Sequence, residues 1–379
     1  MNDIKIESEH AVISPLHQWW GVDAARPWLV AGPCSAETAE QVMETARGIA
    51  SWAPHALFRA GLWKPRTRPG SFEGVGNAGL SWLKEVKAQT GLRTATEVAT
   101  PDHLEACVNA GIDLVWIGAR TVANPFSVQA LADALREVPH MPVLVKNPIN
   151  LDLELWTGAL ERLQQAGITR LGAIHRGFHA LNPNEYRNVP HWDLVIQFRT
   201  RFPEVPLLCD PSHISGNPNL LPQVAQKALD LDAVGLMIET HINPLNAWSD
   251  AAQQVTPEHL KRILEALHIS KPNSENPVFR DKLEALRKEI DGLDAELLNV
   301  LARRMSISRK IGAYKEAHHI TIFQLERWMQ VLRDQKQWGM LAGFSEEFIQ
   351  RFYEAVHQES IRVQTEAQNR KISPEEGKG

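Results

Sequence analysis

The sequence is short of cysteine. Cys34, Cys107 and Cys209 are the only three in 379 residues, widely spaced and set in apolar runs. An odd, scattered set makes no disulfide framework, so a reducing compartment is expected. Long apolar runs are missing too. No stretch approaches the roughly 18 residues of a membrane-spanning helix. The opening Met1-Asn2-Asp3-Ile4-Lys5-Ile6-Glu7 lacks the apolar core of a secretory signal, and a cytoplasmic location follows as an expectation. Neither sign of charge is in excess. Forty basic against 45 acidic side chains leave a net charge of −5, which argues against a protein that coats nucleic acid. What is present is ordinary for a globular chain: 44 % hydrophobic and 22 % charged residues. At about 150 residues per domain, two or three domains are expected.

The chain has two grammars. From about residue 28 to 267, short β-rich apolar runs alternate with amphipathic helical segments. The strand candidates are Trp28–Ser35, Ala56–Trp63, Arg93–Val98, Leu114–Ala119, Pro142–Pro148, Thr169–Phe178, Pro206–Asp210 and Ala233–Thr240. Helix patterns such as Glu37–Trp52 and Leu153–Ala166 lie between them, and several helices close on a glycine: Gly91, Gly111 and Gly167. Strand–helix alternation means parallel strands with crossover helices. Eight such units in about 240 residues match an α/β fold of the (β/α)₈ TIM-barrel type better than an open sheet. The barrel is placed at residues 11–267.

Residues 268–278 are polar, carry Pro272 and Pro277, and read as a linker. No strand signal follows. Leu283, Leu286, Ile290, Leu293, Leu297 and Val300 repeat at spacings of 3 and 4, an apolar seam on one long helix. Two more helical segments, about Gln324–Gln337 and Ser345–Glu366, are separated by Gly339 and Gly343. An all-α helical domain is placed at 279–368, followed by a disordered tail at 369–379. Continuing the seam four places from Val300 reaches Arg304, before Ile307 and Ile311 resume it. An arginine on an apolar seam needs an anionic partner.

A barrel of this kind builds its active site at the C-terminal ends of its strands. Those ends carry Cys34, Arg59 with Lys64, Glu97, Arg120, Lys146, Arg176, Asp210 with His213, and Glu239 with His241, while Asp250 follows the last strand. Cys34, His213, Glu239 and Asp250 together offer a thiolate, an imidazole and two carboxylates. That mixture suits one divalent metal ion such as Mn²⁺, Fe²⁺, Co²⁺ or Zn²⁺. Arg59, Lys64, Arg66, Arg120, Lys146 and Arg176 form a cationic set whose mutual repulsion makes sense with phosphate- and carboxylate-bearing ligands.

Six motifs in order carry a resemblance: Ala31-Gly32-Pro33-Cys34-Ser35, Lys64-Pro65-Arg66-Thr67, Ile117-Gly118-Ala119-Arg120, His175-Arg176-Gly177, Asp210-Pro211-Ser212-His213 and Ile238-Glu239-Thr240-His241. Over about residues 11–267 the chain resembles the type I-beta 3-deoxy-D-arabino-heptulosonate 7-phosphate (DAHP) synthases. A sibling family joins phosphoenolpyruvate (PEP) to a five-carbon sugar phosphate but lacks the Lys-Pro-Arg-Thr run, which favours erythrose 4-phosphate here. The resemblance implies that Cys34, His213, Glu239 and Asp250 hold the metal. Arg59, Arg120, Lys146 and Arg176, with Gly118 and Ala119, would grip PEP. Arg66, Thr67 and Ser212 would bind the erythrose phosphate. Lys64 would protonate the developing alkoxide, and Glu97 would steer water or a proton.

Over about residues 278–366 the chain is similar to the all-α chorismate mutases. Arg287, Arg304, Lys315, Arg327, Ser360 and Gln364 fall on that family's ligand-binding positions. The likeness implies a pericyclic conversion of chorismate to prephenate, with Lys315 and Gln364 on the ether oxygen and no metal. One departure stands out. The family usually carries an acid just after the third cation, where this chain has Trp328. Gln324 likewise replaces a frequent Asp, and Glu326 is the acid available to substitute after a local shift. Arg287 and Arg304 are 17 residues apart, about 25 Å along one helix. If both touch one ligand, Arg287 comes from another chain, and an intertwined homodimer is expected. About 27 residues precede the first strand candidate, too few for a regulatory domain there. The helical domain is therefore the available sensor, with prephenate as the expected inhibitor. Two alternatives make that domain only an effector-binding module or only a dimerisation element.

Overall fold

The computed structural model describes residues 12–20, 27–65, 70–181, 185–270 and 275–369. Arg66, Thr67, Pro272 and the tail beyond residue 369 lie outside the described residues. The chain divides into two compact units, Met1–Pro272 and Asn273–Gly379.

The first unit is a closed barrel of eight parallel strands in sequence order, as expected. They are β1 (Trp28–Gly32), β2 (Leu57–Arg59), β3 (Arg93–Val98), β4 (Leu114–Ile117), β5 (Val143–Lys146), β6 (Leu171–His175), β7 (Leu207–Cys209) and β8 (Gly235–Glu239). β8 closes on β1 with Gly32 opposite Glu239. Each strand lies inside the run read from the sequence, and most are shorter at the C-terminal end. There the chain leaves the ladder to form the mouth loops. In β1 the break coincides with Pro33, which has no N–H to give a ladder.

Alternation of side chains splits the strand residues between two cores. Val30, Leu57, Ala95, Leu114, Trp116, Leu144, Ile174, Leu208 and Met237 pack inside the barrel, over Trp19 and Trp28. Phe58, Val115, Val143, Val145, Leu207 and Ile238 pack outward, under the helices. Those helices start on side-chain caps: Thr38, Thr100, Asp152 and Thr256 each accept from the N–H three residues on. Gly91 and Gly111 cap the ends of two helices with positive φ.

Among the described residues the second unit has three helices, Pro277–Ala317, Leu325–Leu341 and Glu346–Asn369. The long helix begins at Pro277, inside the segment read as linker. Asn276 Oδ1 accepts from the N–H groups of Val278 and Phe279, and proline suits a first helical position. Gly339, read as a break, instead lies within the middle helix. A Cβ there would stand 2.3 Å from Ile349, so the glycine serves close helix packing. Gly343, at φ +88°, makes the turn.

Candidate functional sites

In six of the barrel strands, the position two beyond an interior residue carries a charged group at the C-terminal end. Leu57 leads to Arg59, Ala95 to Glu97, Leu144 to Lys146, Ile174 to Arg176, Leu208 to Asp210 and Met237 to Glu239. The hydrophobic layer and the polar layer are thus one periodic pattern.

Three of the four expected metal ligands are brought together. Ligand atoms of Cys34, Glu239 and Asp250 all lie within 4.8 Å of one another. The buried Cys34 thiol donates to Asp250 Oδ2 at 3.2 Å and accepts from Lys64 Nζ at 3.2 Å. Glu239 is fully buried, and its Oε2 accepts from Gln253 Nε2 at 2.6 Å. Its Oε1 accepts no hydrogen bond among the described residues, although Arg59 Nη2 stands 3.3 Å away. Asp250 sits at φ 49°, a left-handed conformation that costs about 1–3 kcal/mol in a non-glycine residue. His213 is outside the mutual grouping, with Nε2 3.7 Å from Glu239 Oε1 and Nδ1 2.7 Å from Asp210 Oδ2.

Burial, then the Glu239 charge, pushes the Cys34 thiol up to about 12. Burial opposes the Glu239 charge, but His213 and Arg59 outweigh it and hold the carboxyl below its ordinary value. Burial also holds His213 below the usual histidine value despite Asp210. A buried carboxylate oxygen without a hydrogen bond among the described residues, a second carboxylate, a sulfur and an imidazole make a donor set that fits a borderline divalent cation.

Beside this cluster is a cavity of about 360 Å³, lined by Lys64, Glu97, Ala119, Arg120, Lys146, Arg176, Arg187, Asn188, His213 and Asp250, among others. Lys146 Nζ donates to Asp210 Oδ2 at 2.7 Å, with both groups buried. Burial opposes the Lys64 charge, yet the Cys34 sulfur and the Glu97 and Glu239 carboxylates favour it more, and its pKa is raised. Burial draws Arg176 down to about 10, still charged at neutral pH. Its Nη1 donates to Asn188 Oδ1 at 2.9 Å. Glu97 accepts from Trp116 Nε1 at 3.1 Å. Gly118 makes room for that carboxylate, because a Cβ there would meet Glu97 Oε1 at 2.0 Å.

Two sequence expectations are met differently. Arg59 is buried beneath the cavity. Its Nη2 donates to the Cys34 carbonyl at 3.3 Å, and its guanidinium stacks 4.8 Å over Trp116. Ser212 is not in the cavity lining. It is fully buried, and its Oγ accepts from the Glu239 N–H at 3.0 Å, so the hydroxyl supports the strand that carries Glu239. Arg187, Asn188 and Gln253 were missed. Arg187 Nη1 donates to Asp250 Oδ1 at 3.0 Å and also to Gln253 Oε1. Their signal in the sequence is only a cation and two amides in irregular loops.

The helical unit gathers a second set of polar groups. Arg304 Nη1 donates to Ser360 Oγ, which in turn donates to the Val356 carbonyl at 2.8 Å. Lys315 Nζ donates to the Ile322 carbonyl at 2.6 Å. Gln364 Nε2 donates to the Ser360 carbonyl at 3.1 Å, and its Oε1 is buried without a hydrogen bond. Burial holds both Arg304 and Lys315 below their ordinary values. Arg327 is on an exposed face, bonded to Gln330. Arg287 is exposed, 17 residues before Arg304 on the same helix, and one chain does not bring the two together. Trp328 stacks on His357, with ring centroids 4.1 Å apart and planes 18° from parallel.

Both units have counterparts among known proteins. The relatives found by sequence include a phospho-2-dehydro-3-deoxyheptonate aldolase of Thermotoga maritima, 31 % identical over 239 residues, 63 % of this chain and 68 % of the relative. A 2-dehydro-3-deoxyphosphooctonate aldolase of Polaromonas naphthalenivorans is 28 % identical over 263 residues, 63 % of this chain and 88 % of the relative. A crystal structure of the Thermotoga maritima DAHP synthase superposes with a TM-score of 0.58 at 28 % identity, covering 67 % of this chain and 72 % of that one. Residues 286–365 match the family model of chorismate mutase type II. Residues 10–273, which contain the whole barrel and its mouth, match the DAHP synthetase I family, and the chain belongs to that family.

Proposed function

We propose that this chain is a bifunctional enzyme. Its barrel condenses PEP with erythrose 4-phosphate to DAHP and phosphate, and its helical unit rearranges chorismate to prephenate. The observation that carries the first activity is a cavity lined by Lys64, Arg120, Lys146 and Arg176 beside the Cys34–Glu239–Asp250 cluster. Arg120, Lys146 and Arg176 bind the phosphate and carboxylate of PEP. Asp210 orients Lys146, and Arg59 supports the site from below. Arg66 and Thr67 bind the erythrose phosphate, and Ala119 closes the PEP side. Lys64 holds a proton at Nζ and gives it to the alkoxide that forms when PEP carbon 3 attacks the aldehyde. Water then adds at carbon 2, and phosphate leaves by carbon–oxygen cleavage. Glu97 orients that water or takes its proton.

Cys34, His213, Glu239 and Asp250 would hold one divalent metal ion, of the Mn²⁺, Fe²⁺, Co²⁺ or Zn²⁺ type. When bound, such an ion would ionise the thiol and polarise the aldehyde oxygen. PEP consumption with erythrose 4-phosphate, with and without chelator, tests this. Turnover of a five-carbon sugar phosphate in its place would move the chain to the sibling activity.

In the helical unit, Arg304 and Arg327 clamp carboxylates, Ser360 orients Arg304, and Lys315 and Gln364 reach the breaking ether bond. Arg287 completes the site from a second copy of the chain. The half-exposed seam from Leu286 to Val300 supports a homodimer through this unit. A sedimentation experiment showing only monomer would contradict it. Prephenate bound here lowers synthase activity. Inhibition should appear in the full chain and vanish in Arg304→Ala. No helix among the described residues is long and apolar enough to cross a membrane, in keeping with small-molecule chemistry in the cytoplasm.

A further inference from the structure

The geometry points to His357 as a further substrate-contacting residue of the mutase site, whose imidazole hydrogen-bonds the neutral ring hydroxyl of the ligand. This inference rests on the mutase reading of the helical unit. His357 precedes Ser360 by three residues and Gln364 by seven, so all three share one stripe of the last helix. Ser360 is already bonded to Arg304. His357 Nε2 is buried and has no hydrogen-bond partner among the described residues, and Gln364 Oε1 on the same stripe is in the same condition. Buried polar atoms are nearly always paired in folded proteins. Two unpaired ones on the stripe that carries the ligand cations await partners that a ligand brings.

Two aromatic walls set the plane of the imidazole. Trp328 lies flat against it at 4.1 Å, and Phe323 meets it edge-on at 5.8 Å and 61°. Burial, reinforced by the Arg304 and Lys315 charges, lowers the His357 pKa, so the ring is neutral at neutral pH. A neutral imidazole offers one donor and one acceptor. It does not compete with the cations for carboxylates, and it adds no further positive charge beside them. A hydroxyl is the matching partner. Positions 324 and 328, which are Gln and Trp, supply no carboxylate for that purpose. Trp328 then has a role as well: it holds the ring that contacts the ligand.

The test is steady-state turnover of chorismate by the full chain, with calorimetric binding of chorismate alongside. His357→Phe keeps the ring stack and removes both nitrogens. His357→Gln keeps a donor and an acceptor and gives up the stack. The expected result is a fall in kcat/KM of about ten- to a hundredfold for the Phe variant. The Gln variant should stay within about threefold of wild type. With a chorismate analogue that lacks the ring hydroxyl, wild type and both variants should converge, which loss of packing alone would not produce. Circular dichroism and DAHP formation in the same preparations report folding. A Phe variant as active as wild type overturns the inference. So does a Gln variant as impaired as the Phe variant, or a defect that persists with the analogue. If wild type neither binds nor turns over chorismate, the mutase reading itself fails, and this inference fails with it.

Discussion

The two units solve the problem of holding cations in opposite ways. In the barrel the charged groups answer one another. Lys146 meets Asp210, Arg59 meets Glu239 and Arg187 meets Asp250, all over a core in which Val30, Phe58 and Ile117 are 0 % exposed. In the helical unit Arg304 and Lys315 bond to a hydroxyl and a carbonyl, neutral partners that leave their charge for a ligand. Its seam is half open: Ile290 is 56 % exposed and Leu293 64 %. A barrel buries its polar layer within one chain. Three helices, one of them 41 residues long, cannot cover their own apolar face. The contrast is between a barrel mouth whose cations are paired inside one chain and a helical unit with a half-open apolar seam, the feature on which the proposal of a shared site rests.

Four experiments would break or sharpen that contrast. The largest effect is expected from chelation. It should lower DAHP formation by about a thousandfold or more and leave chorismate turnover unchanged. Cys34→Ala should lose bound metal in the same preparation. A Cys34→Ala protein with normal metal content and normal rate would remove this residue from the ligand set.

Arg304→Ala comes next, with mutase turnover down about 10²–10³-fold and DAHP formation intact. Mixing Arg287→Ala with Arg304→Ala subunits should restore part of the activity, because one of the two hybrid sites is whole. Verified exchange without recovery would mean that each site belongs to a single chain.

Gln253→Leu takes the hydrogen bond from Glu239 Oε2 and the contact from Arg187. Metal affinity should weaken by about 10–100-fold in a direct titration, with thermal unfolding little changed. Unaltered affinity would show that Gln253 is only packed there.

The smallest effect concerns stability and no activity. Burial lowers buried His175 to about 4, and its Nε2 lies 2.7 Å from the Pro190 carbonyl. The folded value is below the unfolded one, so this stabilising term is complete above about pH 6.5 and is lost as pH falls toward 4. At pH 5 the loss is about 2 kcal/mol relative to pH 8. His175→Gln should flatten that part of the stability profile in denaturant unfolding. An unchanged profile would place the acid sensitivity elsewhere.

Much of this was legible because the signals are local. Short β-rich apolar runs mark the eight strands, and terminal glycines such as Gly91 and Gly111 mark where helices stop. A strand end in a barrel is a mouth position by topology, so Cys34, Lys146, Arg176 and Glu239 were readable as one site. What local signals cannot carry is the partner of each group. Asp210 and Lys146 are 64 residues apart, and Gln253 and Arg187 are 66 apart. The resemblance gives Ser212 only as a ligand of the erythrose phosphate, and its bond from the Glu239 N–H, 27 residues on, is a contact that only the fold reveals.

The sequence by itself determined the class of each unit, the location of every barrel strand and the residue types at the mouth. These follow from backbone periodicity and from charge, which neighbours in the chain already specify. The tertiary structure alone decided which cation is spoken for and which is free. It also decided that Arg59 is buried under the site, and that Trp328 lies flat on His357. These are contacts between segments far apart in the chain, and no local pattern encodes them. They depend on how strands close into a barrel and how helices approach.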